Sequence, residues 1–153
     1  MTPELEFVFK VHLNLGDRMK LGPIPTGGDR GFVAVTGGEI EGPRLNGRVV
    51  PESGGDWPNI RPDGVVAFNA HYMLEASDGT LIYIRNKGFR HAPPETAKRM
   101  ESLEPVDPSD YYFRVAPVFE APVGPHDWLN RTVFIGTADR RKGYTIFYYY
   151  AVL

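Results

Sequence analysis

Cysteine is absent from the chain, which removes disulfide frameworks, thiolate nucleophiles and cysteine-based zinc sites together and fits a reducing compartment. No run of about 18 apolar residues exists to cross a bilayer. The amino terminus, Met1-Thr2-Pro3-Glu4-Leu5-Glu6, lacks the basic start and apolar block of a secretory signal, so a cytoplasmic setting with no membrane partner is expected. Charge of one sign is also lacking. The net charge is -2, so no basic field gathers nucleic acid, and Arg140-Arg141-Lys142 is too short to supply one and reads as a turn. The four histidines, His12, His71, His91 and His126, show neither His-x-His nor His-x-x-x-His spacing, so no metal site is expected. Phosphate-cradling glycine loops, a Gly-x-Ser-x-Gly turn and a dinucleotide fingerprint are missing too, which makes cofactor-free chemistry the expectation.

What the chain does contain is alternation. Its 153 residues, 42% hydrophobic and 24% charged, fit one domain with its own core, spanning 1–153. Leu5, Phe7, Phe9, Val11 and Leu13 alternate with Glu6, Val8, Lys10, His12 and Asn14, the period of a strand with one buried face. Residues 16–31 are crowded with glycine and proline and predict a long loop. A short strand follows at 32–35, and residues 39–50 read as two short strands or one broken by a bulge. Further strands are expected at 111–120, 128–137 and 144–153. The last is almost wholly β-branched or aromatic, which predicts burial on both sides. Helix formers gather only at 94–103, behind Pro93-Pro94, giving one short surface helix.

The clearest hairpin joins 65–76 to 81–86 through Ser77-Asp78-Gly79-Thr80. Asp78-Gly79 suits a two-residue type I′ turn, which pairs Ser77 with Thr80 and sets His71 opposite Asn86. One face then carries Asn69, His71, Met73, Ile84 and Asn86, the other Phe68, Ala70, Tyr72 and Leu74. Eight or more short strands with turns between them predict an all-β sandwich or barrel. The antiparallel barrel is preferred because pairing the first and last strands removes two exposed edges.

The stretch Gly54-Gly55-Asp56-Trp57-Pro58-Asn59-Ile60-Arg61-Pro62-Asp63-Gly64 stands apart, since a plain turn does not need its three charges. Gly37-Gly38-Glu39-Ile40-Glu41-Gly42-Pro43, Gly55-Asp56-Trp57, Arg61-Pro62-Asp63-Gly64, the Asp78-Gly79 hairpin, Tyr112-Phe113-Arg114 and Trp128-Leu129-Asn130-Arg131 together resemble the domain of unknown function 3237 family, also called UPF0311-like. The likeness runs from about Phe7 to the carboxyl end. It implies a single-domain antiparallel β-barrel and no settled activity. The chain departs from the expected pattern at Asn69-Ala70-His71-Tyr72 and at His126-Asp127, and both departures introduce histidine.

Several of these residues suit chemistry on a small molecule. Asp56 beside Trp57 is a carboxylate whose pKa an apolar neighbour would raise, as a general acid or base requires; the structural alternative is a loop cap. Arg61 either pairs with Asp63 or presents its donors to a ligand oxyanion. His71 opposite Asn86 is the sharpest pair, able to move a proton and hold a developing oxyanion, although a structural histidine fits as well. Trp57, Tyr72, Arg114, His126, Trp128 and Asn130 are candidates for binding the substrate. The leading expectation is a cofactor-independent isomerase, cyclase, lyase or hydrolase acting on a small, aromatic-compatible substrate, with Asp56, His71 and Arg61 catalytic. The alternatives are a non-catalytic ligand-binding barrel, and a homo-oligomer assembled through the aromatic last strand.

Overall fold

Strands with one apolar face must cover that face, and a sheet closed on itself covers it without leaving an edge. In the computed structural model, which describes residues 1–153, the strands are β1 (Leu5–Pro23), β2 (Asp29–Glu41), β3 (Gly47–Val49), β4 (Gly55–Asp56), β5 (Asn59–Ile60), β6 (Val66–Ala76), β7 (Leu81–His91), β8 (Tyr112–Glu120), β9 (Phe134–Arg141) and β10 (Tyr144–Val152). β1 pairs antiparallel with both β2 and β10, closing the ring between first and last strands. β3, β4 and β5 lie end to end between β2 and β6 and act as one interrupted stave. The result is an antiparallel barrel, and the sandwich alternative falls away. A short helix, α1 (Pro94–Glu101), lies beside one end of the barrel.

Four local expectations are overturned. The loop predicted at 16–31 is mostly strand, because β1 and β2 continue as a paired ribbon to Pro23 and Asp29. Register shifts between Asn14 and Leu15, Leu15 and Arg18, and Lys20 and Pro23 absorb the residues that looked like breakers. The strand expected from 128 begins only at Phe134, since Asp127–Arg131 forms a 3-10 turn. Leu129 of that turn is buried in the core, and Asn130 fixes the approach by accepting from Ala121 N (3.0 Å) and donating to Ala121 O (2.9 Å). The last strand is not buried on both sides: β10 alternates strictly, with Thr145, Phe147, Tyr149 and Ala151 inward. Tyr148 and Tyr150 are half-buried on its outer face.

The fourth correction moves the functional residues. The β6–β7 hairpin pairs Glu75 with Leu81 and Tyr72 with Ile84, one residue away from the expected register. Its loop is three residues long: Gly79 N bonds Ala76 O at 2.8 Å, Ala76 N bonds Thr80 O at 2.9 Å, and only Gly79 takes a positive φ, of 88°. Asp78 instead accepts from Thr80 N at 3.0 Å, which holds it in an ordinary type I turn and makes Gly79 the extra residue of a bulge. A one-residue slip changes which side chains share a face. Asn86 therefore faces inward with Tyr72, and His71 faces outward.

The barrel is filled unequally. Phe9, Phe119, Phe134 and Tyr149 pack edge to face in the half closed by Leu129. Above Tyr149 the inward residues no longer meet, and a cavity of about 710 Å³ opens toward α1.

Candidate functional site

Asp56 reaches the cavity because Gly54 and Gly55 let its strand approach β6 and β2 closely. A Cβ on Gly54 would collide with the His71 carbonyl, and one on Gly55 would strike the Phe32 ring and the Val33 carbonyl. The glycines thus have a packing role, and Asp56 lies opposite Val33 on one side and Ala70 on the other. Ala70 in turn lies opposite Asn86. The small Ala70 methyl leaves space between Asp56 and Asn86, and all three line the cavity.

The floor is a polar cluster within an apolar barrel. Asn86 is buried and donates through Nδ2 to the Tyr149 hydroxyl at 2.9 Å. Its Oδ1 has no hydrogen-bond partner, and the buried Tyr72 hydroxyl has only a loose contact with the Tyr149 hydroxyl, to which its oxygen is the acceptor, so its own O–H is left to the cavity. Buried polar atoms are nearly always paired, so these two are groups to be satisfied from the cavity side. Burial pushes both tyrosines above the usual phenol range, which keeps them neutral proton donors.

Asp56 is the titrating group of the site. Burial raises its carboxyl from 3.8 to about 6, against the pull of the Asn69 and Trp57 backbone N–H groups and of Arg90 and Arg30. Its Oδ1 accepts from Asn69 N at 3.1 Å. The residue is half-buried by surface area and lines the cavity, yet its carboxyl is strongly desolvated. Arg90 is in the same position. It falls to about 10, first through burial and then through the neighbouring charges of Arg140 and Arg18. Its guanidinium lies 5.4 Å from the Phe68 ring centre and 5.6 Å from that of Phe113, two rings stacked at 4.8 Å.

Of the residues singled out in the sequence, Asp56, Tyr72 and Asn86 converge on this cavity. The others lie elsewhere. His71 is on the outer face of β6, with Nδ1 3.0 Å from the Tyr83 hydroxyl, a consequence of the hairpin register. Arg61 points away and is held by Asp63, its Nε donating to Oδ1 at 3.1 Å while Nη2 meets Oδ2. Trp57 packs on Phe32 at 4.4 Å with 48% of its surface exposed. Arg114 is on the outer face of β8, donating to Phe113 O at 2.9 Å. Trp128 sits under Arg44, 3.9 Å from its guanidinium, at the closed end of the barrel, where Asn130 also lies. His126 Nε2 meets Asp78 Oδ2 at 2.9 Å beside the hairpin loop.

Arg90, Arg140, Phe68, Phe113 and Phe147 line the cavity and escaped the sequence reading. The signal for Arg90 was present. β7 runs on to His91, so Ile82, Ile84, Asn86, Gly88 and Arg90 continue one inward face, and ending the strand at Asn86 hid the arginine. Arg140 is likewise part of β9 rather than of a turn, opposite Thr145.

The family model described as "Protein of unknown function (DUF3237)" matches residues 3–152. A UPF0311 protein of Rhodopseudomonas palustris strain TIE-1 is 39% identical over 142 residues, 92% of each chain. The crystal structure of a conserved protein of unknown function, RPA1785, from Rhodopseudomonas palustris superposes with a TM-score of 0.95 at 33% identity, covering 100% of this chain and 99% of that one. A structure described as a beta-barrel like protein from Acinetobacter baumannii AYE gives 0.87 at 34% identity, covering 100% and 98%. A structure described as an enzyme from Penicillium herquei gives 0.75 at 24% identity over 100% and 96%, a likeness of fold alone.

Proposed function

The chain belongs to the DUF3237 family, whose description names no reaction, and from that premise we propose that it is a cofactor-independent enzyme transferring a proton on a small organic substrate inside the barrel, with Asp56 as the acid–base group. The observation that supports this reading is a carboxyl on the cavity wall whose protonation changes at about 6. Near neutral pH both of its forms are accessible, and proton transfer is most effective when the group's pKa lies near the working pH. As carboxylate, Asp56 accepts a proton from the substrate. As the acid, it returns one to another atom of the same molecule.

The negative charge that develops on a substrate oxygen needs fixed donors. Arg90 supplies a buried cation, and the neutral Tyr72 hydroxyl supplies an O–H donor not committed to a protein acceptor. Asn86 Oδ1 accepts from a substrate N–H or O–H, its orientation fixed by the bond to Tyr149. Isomerisation, cyclisation and elimination all suit one acid–base group with an oxyanion site. The aromatic wall formed by Phe68, Phe113 and Phe147 favours planar substrates and is also the feature that supports the second reading, a non-catalytic ligand carrier.

Deuterium incorporation in D2O separates the two. The wild-type protein should exchange α-protons of an aryl ketone panel including 1-tetralone, with a rate that rises with pH and levels off above about 6. Asp56→Asn should lower that rate by about 10²–10⁴-fold. His71→Ala, on the outer face, should leave it within about twofold, the spread expected away from the reacting groups. Exchange that persists in Asp56→Asn, or no Asp56-dependent exchange with any member of the panel, removes the assignment.

A further inference from the structure

The cavity is positively charged in a protein whose net charge is -2. Six arginine and lysine side chains line it against three carboxylates, Asp17, Asp56 and Glu101. Two of the six already have acidic partners: Lys20 lies 3.3 Å from Glu101, and Arg141 lies 2.9 Å from Asp139. Of the remaining four, Lys142 is exposed in the turn between β9 and β10, and Arg18, Arg90 and Arg140 are, like it, in none of the protein's ion pairs. Arg18 is exposed at the mouth, whereas Arg140 and Arg90 are half-buried, Arg90 the more strongly desolvated of the two and set over the stacked Phe68 and Phe113.

Like charges gathered in a concave, partly desolvated space repel one another, and Arg90 is lowered by burial and by both of the other guanidiniums. A purely structural arginine normally has a carboxylate or several carbonyls within reach. Arg140 has its backbone N–H fixed by the Tyr111 hydroxyl at 2.9 Å, while its guanidinium is left to the cavity. The arrangement is complementary to an incoming oxyanion, since guanidinium donors recognise carboxylate and related oxygens with paired hydrogen bonds. Field lines concentrated by low-dielectric walls would also draw an anion in.

We propose that the cavity binds a planar aromatic compound bearing an oxyanion, its ring against Phe68 and Phe113 and its charged oxygen toward Arg90 and Arg140. This deepens the proposed function by assigning its substrate class, and it rests on the same cavity. Carboxylate and ionised phenol share the chemistry, and Arg18 guides either one inward from the mouth. Asp56 and the oxyanion contact occupy different staves, β4 on one side and β7 with β9 on the other. Arg90 also acts on Asp56 through its charge, so Arg140, which does not, is the residue that reads ligand binding apart from proton transfer.

Two pairs of probes at pH 8.5, followed by calorimetry, test the assignment. 2-Naphthoate against 2-naphthamide reads the carboxylate, and 4-nitrophenolate against 4-nitroanisole reads the phenolate. The anion should bind at least about tenfold more tightly than its neutral partner in one pair or both, the size of one charge-assisted contact. A preference in one pair alone identifies the oxyanion. Arg140→Gln, and the milder Arg18→Gln at the exposed mouth, should reduce that preference while leaving the neutral probe's affinity within about twofold, because an isolated lost charge acts on the anion alone. Asp56→Asn should not weaken the anion. Equal affinities in both pairs, no measurable binding of either anion, or a preference unchanged in Arg140→Gln overturns the proposal. None of these outcomes bears on Asp56-dependent deuterium exchange, which fails or succeeds by itself.

Discussion

Replacing Asp56 by asparagine should make the protein more stable at pH 8. In the folded state the carboxyl is raised from 3.8 to about 6, chiefly by burial, so the folded form holds a proton that the unfolded chain has already released. Stability from this group is fully present below the unfolded value, falls as pH rises between about 4 and 6, and is absent above the folded value. A difference between 3.8 and about 6 corresponds to at most about 3 kcal/mol. The residue is only half-buried and lines the cavity, so an effect of about 1–2 kcal/mol is expected after solvent screening. Asparagine retains an oxygen to accept from Asn69 N, the bond now made at 3.1 Å, and carries no charge to desolvate. Urea unfolding of both proteins at pH 4.5 and pH 8 measures the effect, and the other carboxylates cancel in the comparison. The gain in Asp56→Asn over the parent should grow by about 1 kcal/mol from the lower pH to the higher, less than the full effect because at pH 4.5 the unfolded carboxyl, at 3.8, has already released most of its proton. A difference that does not change with pH, or a variant less stable at pH 8, would refute the claim that Asp56 is held ionised at a cost.

Two other substitutions test the floor and the shape of the cavity. Tyr149→Phe removes the acceptor of the Asn86 Nδ2 bond at 2.9 Å, in a residue only 3% exposed, and should cost about 1–3 kcal/mol in urea unfolding; an unchanged midpoint would mean the amide finds another partner. Ala70→Leu places bulk between Asp56 and Asn86, its cross-strand neighbours. It should weaken 2-naphthoate at least about tenfold while changing unfolding free energy by less than about 1.5 kcal/mol, because the added atoms enter open space. Unaltered binding would place the ligand seat elsewhere.

Much of the barrel was legible one residue at a time. Alternation from Phe9 to Leu13 and along the later strands marks inward faces, but Leu5 and Phe7, expected on the same buried face, are exposed because a register shift between Phe7 and Phe9 turns the strand over and buries Val8; the aromatic, β-branched character at both ends of the chain suits the β1–β10 closure. Asp56, Tyr72 and Asn86 were likewise identifiable, because a carboxylate in a glycine-rich loop and polar groups in apolar strands are unusual. The expectations that failed depended on register or on partners. Ser77-Asp78-Gly79-Thr80 fits a two-residue and a three-residue loop alike, and only the pairing of Glu75 with Leu81 decides between them. That choice exchanged His71 for Tyr72 beside Asn86. The extension of β1 to Pro23 similarly depended on β2 to satisfy its backbone.

The sequence by itself determined a cofactor-motif-free, cysteine-free β-domain of the DUF3237 family, because periodicity and composition are local properties that the chain carries before it folds. The cavity and its arginines were decided only by the tertiary structure. Arg18, Arg90 and Arg140 come from β1, β7 and β9, and their excess of positive charge exists only where the closing ring brings three distant strands around one space.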